Sequence, residues 1–120
     1  MMRILSGLML AGVMVIGLAG PVEAQTKYEA YTRLYPYKAN GYPGIDVWVY
    51  RRNAQNTPVG LRYIKVCLQR KSGSSYVTRS CKKTSADGGV TWLLYAGYRY
   101  RIHVPPTAYH YAHYSRSFVA

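Results

Sequence analysis

Alternation of apolar and polar residues runs through the chain from Lys27 onward and divides into seven short runs. The first, residues 27–35, sets Tyr28, Ala30, Thr32 and Leu34 against Glu29, Tyr31, Arg33 and Tyr35. Residues 44–52 place Ile45, Val47 and Val49 on one face and Trp48 and Tyr50 on the other. Residues 60–70 set Ile64, Val66 and Leu68 against Tyr63, Lys65, Cys67 and Gln69. Four more runs follow, at 75–82, 89–95, 98–105 and 112–120. The run at 98–105 alternates most cleanly, with Tyr98, Tyr100, Ile102 and Val104 opposed to Arg99, Arg101 and His103. Period two with one polar face is the pattern of a half-buried antiparallel strand.

Turn-forming residues punctuate these runs: Pro36, Asn40-Gly41, Pro43-Gly44, Asn56-Thr57-Pro58, Ser72-Gly73, Asp87-Gly88-Gly89, Ala96-Gly97 and Pro105-Pro106. Short strands separated by regular turn signals predict an all-β sandwich or barrel. The first 24 residues read differently. Arg3 precedes an apolar run from Ile4 to Leu18, followed by Gly20-Pro21 and Val22-Glu23-Ala24. A basic head, an apolar middle and a small-x-small end predict a secretory leader cleaved after Ala24. The apolar run is shorter than a membrane span requires and is interrupted by Gly12 and Gly17. One domain, residues 25–120, is then expected outside the cytoplasm, secreted or associated with the cell surface.

Export bears on the two cysteines, Cys67 and Cys81, which an oxidising compartment joins. A hairpin with its tip centred on Ser74 would set Cys67 opposite Cys81, Leu68 opposite Ser80, Gln69 opposite Arg79 and Lys71 opposite Val77. By parity the bridge belongs on the face opposite Val66 and Leu68, outside the core.

Several of these segments resemble the bacterial immunoglobulin-like β-sandwich repeat. The resemblance rests on Val66-Cys67-Leu68-Gln69-Arg70, on Gly73 to Tyr76, on Thr84-Ser85-Ala86-Asp87-Gly88, and on Tyr98-Arg99 or Tyr100-Arg101. It covers about residues 45–120, and transthyretin-like modules are similar in the same way. Tyr76 stands where such repeats usually have Trp, and Ser85 where they have Asp. The resemblance implies an immunoglobulin-like antiparallel sandwich of about seven strands, used for display, spacing or adhesion, with no active-site residues to carry over.

Charge adds the functional expectation. Without Arg3 and Glu23, 15 Lys and Arg face only Glu29, Asp46 and Asp87, a net charge of 15 − 3 = +12. Such a surface draws anionic partners at long range. The expected partner is an anionic polymer or cell-envelope component: a teichoic polymer, an acidic polysaccharide, anionic lipid or nucleic acid. Stretches that interleave rings and cations supply the candidate ligand-binding residues: Arg51 and Arg52, Lys82 and Lys83, Arg99 and Arg101, and the segment Tyr109, His110, Tyr111, His113, Tyr114 and Arg116. Rings stack on sugars or bases, and guanidinium groups meet carboxylate or phosphate. Three carboxylates without a surrounding motif, and histidines without a positioning partner, make an enzyme the weaker reading. A basic hydrolase or nuclease and a secreted inhibitor or toxin module are the alternatives. No cofactor or metal is expected, since His110 and His113 have no third ligand nearby in sequence.

Overall fold

Val, Ile, Thr and Tyr dominate the alternating runs, and the chain extends at each of them. The computed structural model describes residues 26–120, so the expected leader and Gln25 lie outside the described residues. Within that range the strands are β1 (Tyr31–Ala39), β2 (Tyr42–Arg52), β3 (Pro58–Gly60), β4 (Lys65–Ser72), β5 (Ser75–Lys83), β6 (Gly89–Leu93), β7 (Arg99–Val104), β8 (His113–Tyr114) and β9 (Phe118–Val119). They form two antiparallel sheets. In the four-stranded sheet, β1 pairs with β2, and β3 and β6 pair with separate stretches of β2. In the five-stranded sheet the order is β5-β4-β7, with β8 and β9 paired to the two ends of β7.

The alternation assigned the inner faces. Ile45, Val47 and Val49 of β2 and Trp92 of β6 share one core with Val66 and Leu68 of β4 and Tyr100, Ile102 and Val104 of β7. Each buried side chain of this size contributes roughly 1.5–3 kcal/mol of gross stabilisation. The indole N–H of Trp92 is satisfied inside that core by Ser80 Oγ at 3.0 Å.

Strand limits depart from the sequence expectation in three places. β1 starts later than residue 27 and continues through Pro36 to Ala39. Proline is tolerated there because β1 pairs on one side only. Asn40 and Gly41, both at positive φ, then form a two-residue turn into β2. The run at 60–70 is broken: β3 ends at Gly60, Tyr63 adopts φ 57°, and β4 begins at Lys65. The run at 112–120 yields only β8 and β9, because Ser115 Oγ takes the N–H of Ile102 at 2.8 Å and displaces a ladder bond.

The β4–β5 hairpin is the fourth departure. Cys67 is bridged to Cys81, and Leu68 opposes Ser80, as the sequence predicts. Nearer the tip the register shifts by one: Gln69 opposes Thr78 and Lys71 opposes Tyr76, not Arg79 and Val77. The turn is the two-residue Gly73-Ser74, with Gly73 at φ 63°. An odd number of residues, 13, separates the cysteines, so a two-residue turn leaves one over. Arg79 takes up that extra residue as a β-bulge. The bridge lies outside the core cluster, with Cys67 buried and Cys81 exposed.

Candidate anion-binding face

No Asp or Glu occurs in any strand of the five-stranded sheet, while β4 and β5 each carry three Lys or Arg and β7 carries two. Alternation sends Gln69 of β4 and Arg101 of β7 to its outer face, where the ladder places them side by side. Arg101 Nε donates to Gln69 Oε1 at 2.7 Å, and Gln69 Nε2 donates to Thr78 Oγ1 at 3.2 Å. The Arg101 guanidinium also lies 4.2 Å from the Tyr76 ring centroid and 4.3 Å from that of Tyr114. Two cation–π contacts and one anchoring bond therefore fix its plane. Its two η nitrogens make no hydrogen bond among the described residues. A planar fork held in this way suits the paired oxygens of a carboxylate or phosphate.

The bulge makes the clamp possible. Ser80 and Lys82 share the inward parity of Leu68 and Val66, and an unbroken strand would send Thr78 and Tyr76 inward with them. Inserting Arg79 reverses the parity, so Thr78 meets Gln69 and Tyr76 meets Arg101. The disulfide fastens the same two strands one step further along.

Beside the clamp, His103 stacks on Tyr114 with centroids 4.3 Å apart and planes 6° from parallel. Burial, then the charges of Arg101 and Lys65, hold His103 below its ordinary value, so it is neutral at neutral pH.

The four-stranded sheet carries a second array on its own outer face. Tyr31, Tyr50 and Trp48 stack in a row, at 5.5 Å and 4.8 Å between centroids. Arg33 lies over Trp48 and Tyr50 at 5.3 and 4.9 Å, and Arg52 over Tyr31 and Tyr50 at 6.0 and 5.7 Å. Hydrogen bonding to Tyr50 and then Tyr35 raises the proton affinity of Arg33 still further. The rings cover one another, so this face presents guanidinium groups more than open ring surfaces. Asp46, opposite Tyr35 and Thr91, places one carboxylate on the same sheet.

The residues expected from sequence fall in different places. Arg51 and Arg52 point to opposite faces, and Arg51 lies 5.2 Å from the Tyr28 ring centroid. Lys82 and Lys83 also diverge: Lys82 Nζ donates to Thr91 O at 2.6 Å beside Trp92, and Lys83 is exposed. Arg99 donates to Ser117 Oγ at 3.1 Å. His110 is 1% exposed, and its Nδ1 donates to Tyr111 O, so it offers no surface to a ligand. Tyr109 and Tyr111 are exposed, with Lys27 over Tyr111. His113 Nε2 is 3.1 Å from Thr32 Oγ1, and burial lowers its proton affinity against the pull of Glu29. Arg116 is exposed beside β1. Of these, Arg101 and Tyr114 meet in the clamp. Gln69, Tyr76, Thr78 and His103 complete that face, and Arg33, Tyr31, Trp48 and Tyr50 build the second. The alternation put most of them on outer faces, but nothing in it named their cross-strand neighbours.

Among the described residues no group of three His, Cys, Asp or Glu gathers to hold a metal ion. Compared with protein families, curated proteins and solved structures, the chain has no significant match in any of the three.

Proposed function

We propose that this protein is an exported, non-enzymatic binding module for an anionic polymer, built on an immunoglobulin-like sandwich of about seven strands. The observation that carries the reading is the Arg101 fork, fixed between Tyr76 and Tyr114 on a sheet without carboxylates. With 15 cations and three carboxylates in residues 25–120, the net charge is 15 − 3 = +12, so carboxylates are too few to neutralise most of the cations. Several of them engaging one chain release its counterions, which makes binding strong at low salt and weak at high salt. An acidic polysaccharide, a teichoic-type polyphosphate and single-stranded nucleic acid all offer the paired oxygens the fork accepts.

The immunoglobulin-like assignment is supported by connectivity. Strands β1, β2 and β6 form one sheet and β5, β4 and β7 the other, with β8 and β9 acting as one interrupted last strand. Tyr100 OH also accepts the N–H of Tyr95, five residues upstream, at 3.0 Å, an arrangement like the tyrosine corner of such sandwiches. The disulfide is consistent with export.

The test is titration against polygalacturonate, polyglycerol phosphate and single-stranded DNA from about 50 to 200 mM salt. Affinity should fall steeply with salt, and Arg101→Lys should weaken binding nearly as much as Arg101→Ala, because an ammonium has no fork. Salt-independent binding, or full activity of Arg101→Ala, would reject the reading.

A further inference from the structure

A groove runs along one side of the sandwich, between β1 of one sheet and the β8–β9 edge of the other. Its two halves have different chemistry. One, about 450 Å³, is walled mainly by Leu34, Pro36, Ile45, Leu94 and Phe118. The other, about 380 Å³, has Thr32, His113, Ser115 and Arg33. Leu34 and Arg116 line both halves, so the two adjoin and Arg116 stands where they meet. No Asp or Glu lines either half. The Arg33 guanidinium is turned over Trp48 and Tyr50, which leaves Arg116 at the junction and Lys38 at the far end of the apolar half as the cations of the groove; only Arg116 also borders the polar half. From Thr32 to Lys38 the wall covers six strand steps, roughly 20 Å at about 3.3 Å each.

We infer that this groove binds a single-chain amphiphile whose carboxylate or phosphate head sits at Arg116 and whose hydrocarbon chain lies along Leu34, Ile45 and Phe118. The inference goes beyond polymer binding and does not rest on it, since the Arg101 clamp is on a different face. Each half has the size of a small-molecule site, and an apolar wall with a few charged or polar groups is the usual composition of such sites. Charge complementarity selects an anionic head over a neutral or cationic one. An extended peptide added as a strand is the other shape that fits a groove between sheet edges. Pro36 opposes it, because it removes a backbone donor in the middle of the β1 edge. An acyl chain needs no such donor.

The experiment is calorimetric titration of the intact exported chain with laurate, palmitate, lysophosphatidate and dodecanol, each below its micelle concentration. The acids should bind one to one and at least tenfold more tightly than the alcohol, and Arg116→Ala should abolish that difference. The tighter of palmitate and lysophosphatidate identifies the head. Ala96→Trp, which sets an indole at the apolar half from an exposed position, should block all four. Arg101→Ala should change none of them, which separates this result from the polymer titration. Doxyl-labelled stearate should broaden the amide signals of Leu34 and Phe118. Equal affinity for laurate and dodecanol, binding unaffected by Ala96→Trp, broadening centred elsewhere, or binding of an acidic extended peptide with none of the acids would each overturn the inference.

Discussion

Gln69 stands opposite Thr78, and Arg79, the residue next to Thr78, is passed over by the ladder. That single slip decides which side of β5 faces outward. The hairpin reconciles two demands, a two-residue turn at Gly73-Ser74 and a direct Cys67–Cys81 pair, and the bulge is the residue left over. Deleting Arg79 should therefore give a regular hairpin that keeps both the turn and the bridge. The deletion variant should oxidise to the two-hydrogen mass deficit of one disulfide and keep its stability within about 1 kcal/mol, since only an exposed bulge is lost. A three-residue turn centred on Ser74 predicts the reverse, with misaligned cysteines and free thiols.

The bridge closes a short loop outside the core. Replacing Cys67 and Cys81 together by Ser should lower stability by about 3 kcal/mol while leaving the far-ultraviolet spectrum of a β protein. Equilibrium denaturation with circular dichroism reads both. The same variant should also lose polymer affinity, because β5 carries Tyr76 and Thr78 to the clamp.

Tyr37 crosses over Gly44 to bring its hydroxyl within 3.0 Å of Thr91 Oγ1, and a Cβ at position 44 would overlap the ring. Gly44→Ala should cost about 1–3 kcal/mol by displacing that ring. In a Tyr37→Ala background the same substitution should cost almost nothing. The double-mutant cycle isolates the overlap, and additive effects would reject it.

Two histidines set the acid limit of stability. Burial lowers His113 and, with Arg101 and Lys65, His103, so the folded state holds fewer protons than the unfolded chain. Their contribution is complete above the unfolded value of about 6.5 and shrinks as pH falls through it towards the lower folded values. Asp87 acts further down. Its bonds from Ser85 and Gly89 lower its value, so that contribution holds above the usual carboxylate range and is lost as pH falls below it. Denaturation midpoints should be flat from pH 8 to about 7 and then decline. His113→Gln should flatten the first part of that decline.

Protonation of His103 should act in the opposite sense on binding. It adds a cation beside the clamp, so affinity for a polyanion should rise as pH falls below the ordinary histidine range, until unfolding intervenes. His103→Gln should remove the rise, which titration at constant salt measures directly.

Faces proved easier to read from the sequence than neighbours. Val47, Val66 and Ile102 had to turn inward because period two admits no other arrangement, and they form the core. The cysteine pair followed from parity and composition. The register near the hairpin tip did not, because an odd spacing fits either a three-residue turn or a bulge, and only the ladder energies decide between them. Runs of neighbouring cations also misled. Arg51 and Arg52, like Lys82 and Lys83, look like patches in a string of letters, but adjacent strand residues face opposite ways. His110 was read as a surface group, and its burial depends on the parallel bridge between Tyr28 and His110, a long-range contact with no local signal.

The two arginine arrays face away from each other, with the core between them and sheets that pack about 10 Å apart. A straight polymer segment can lie on one array but cannot touch both. With polymer bound at both, each domain would have a valence of two, and long anionic chains would be tied to one another through it. Mixtures near charge balance should turn cloudy or gel, while an excess of either component should redissolve them. Neutralising one array alone would leave a monovalent coat that binds without crosslinking.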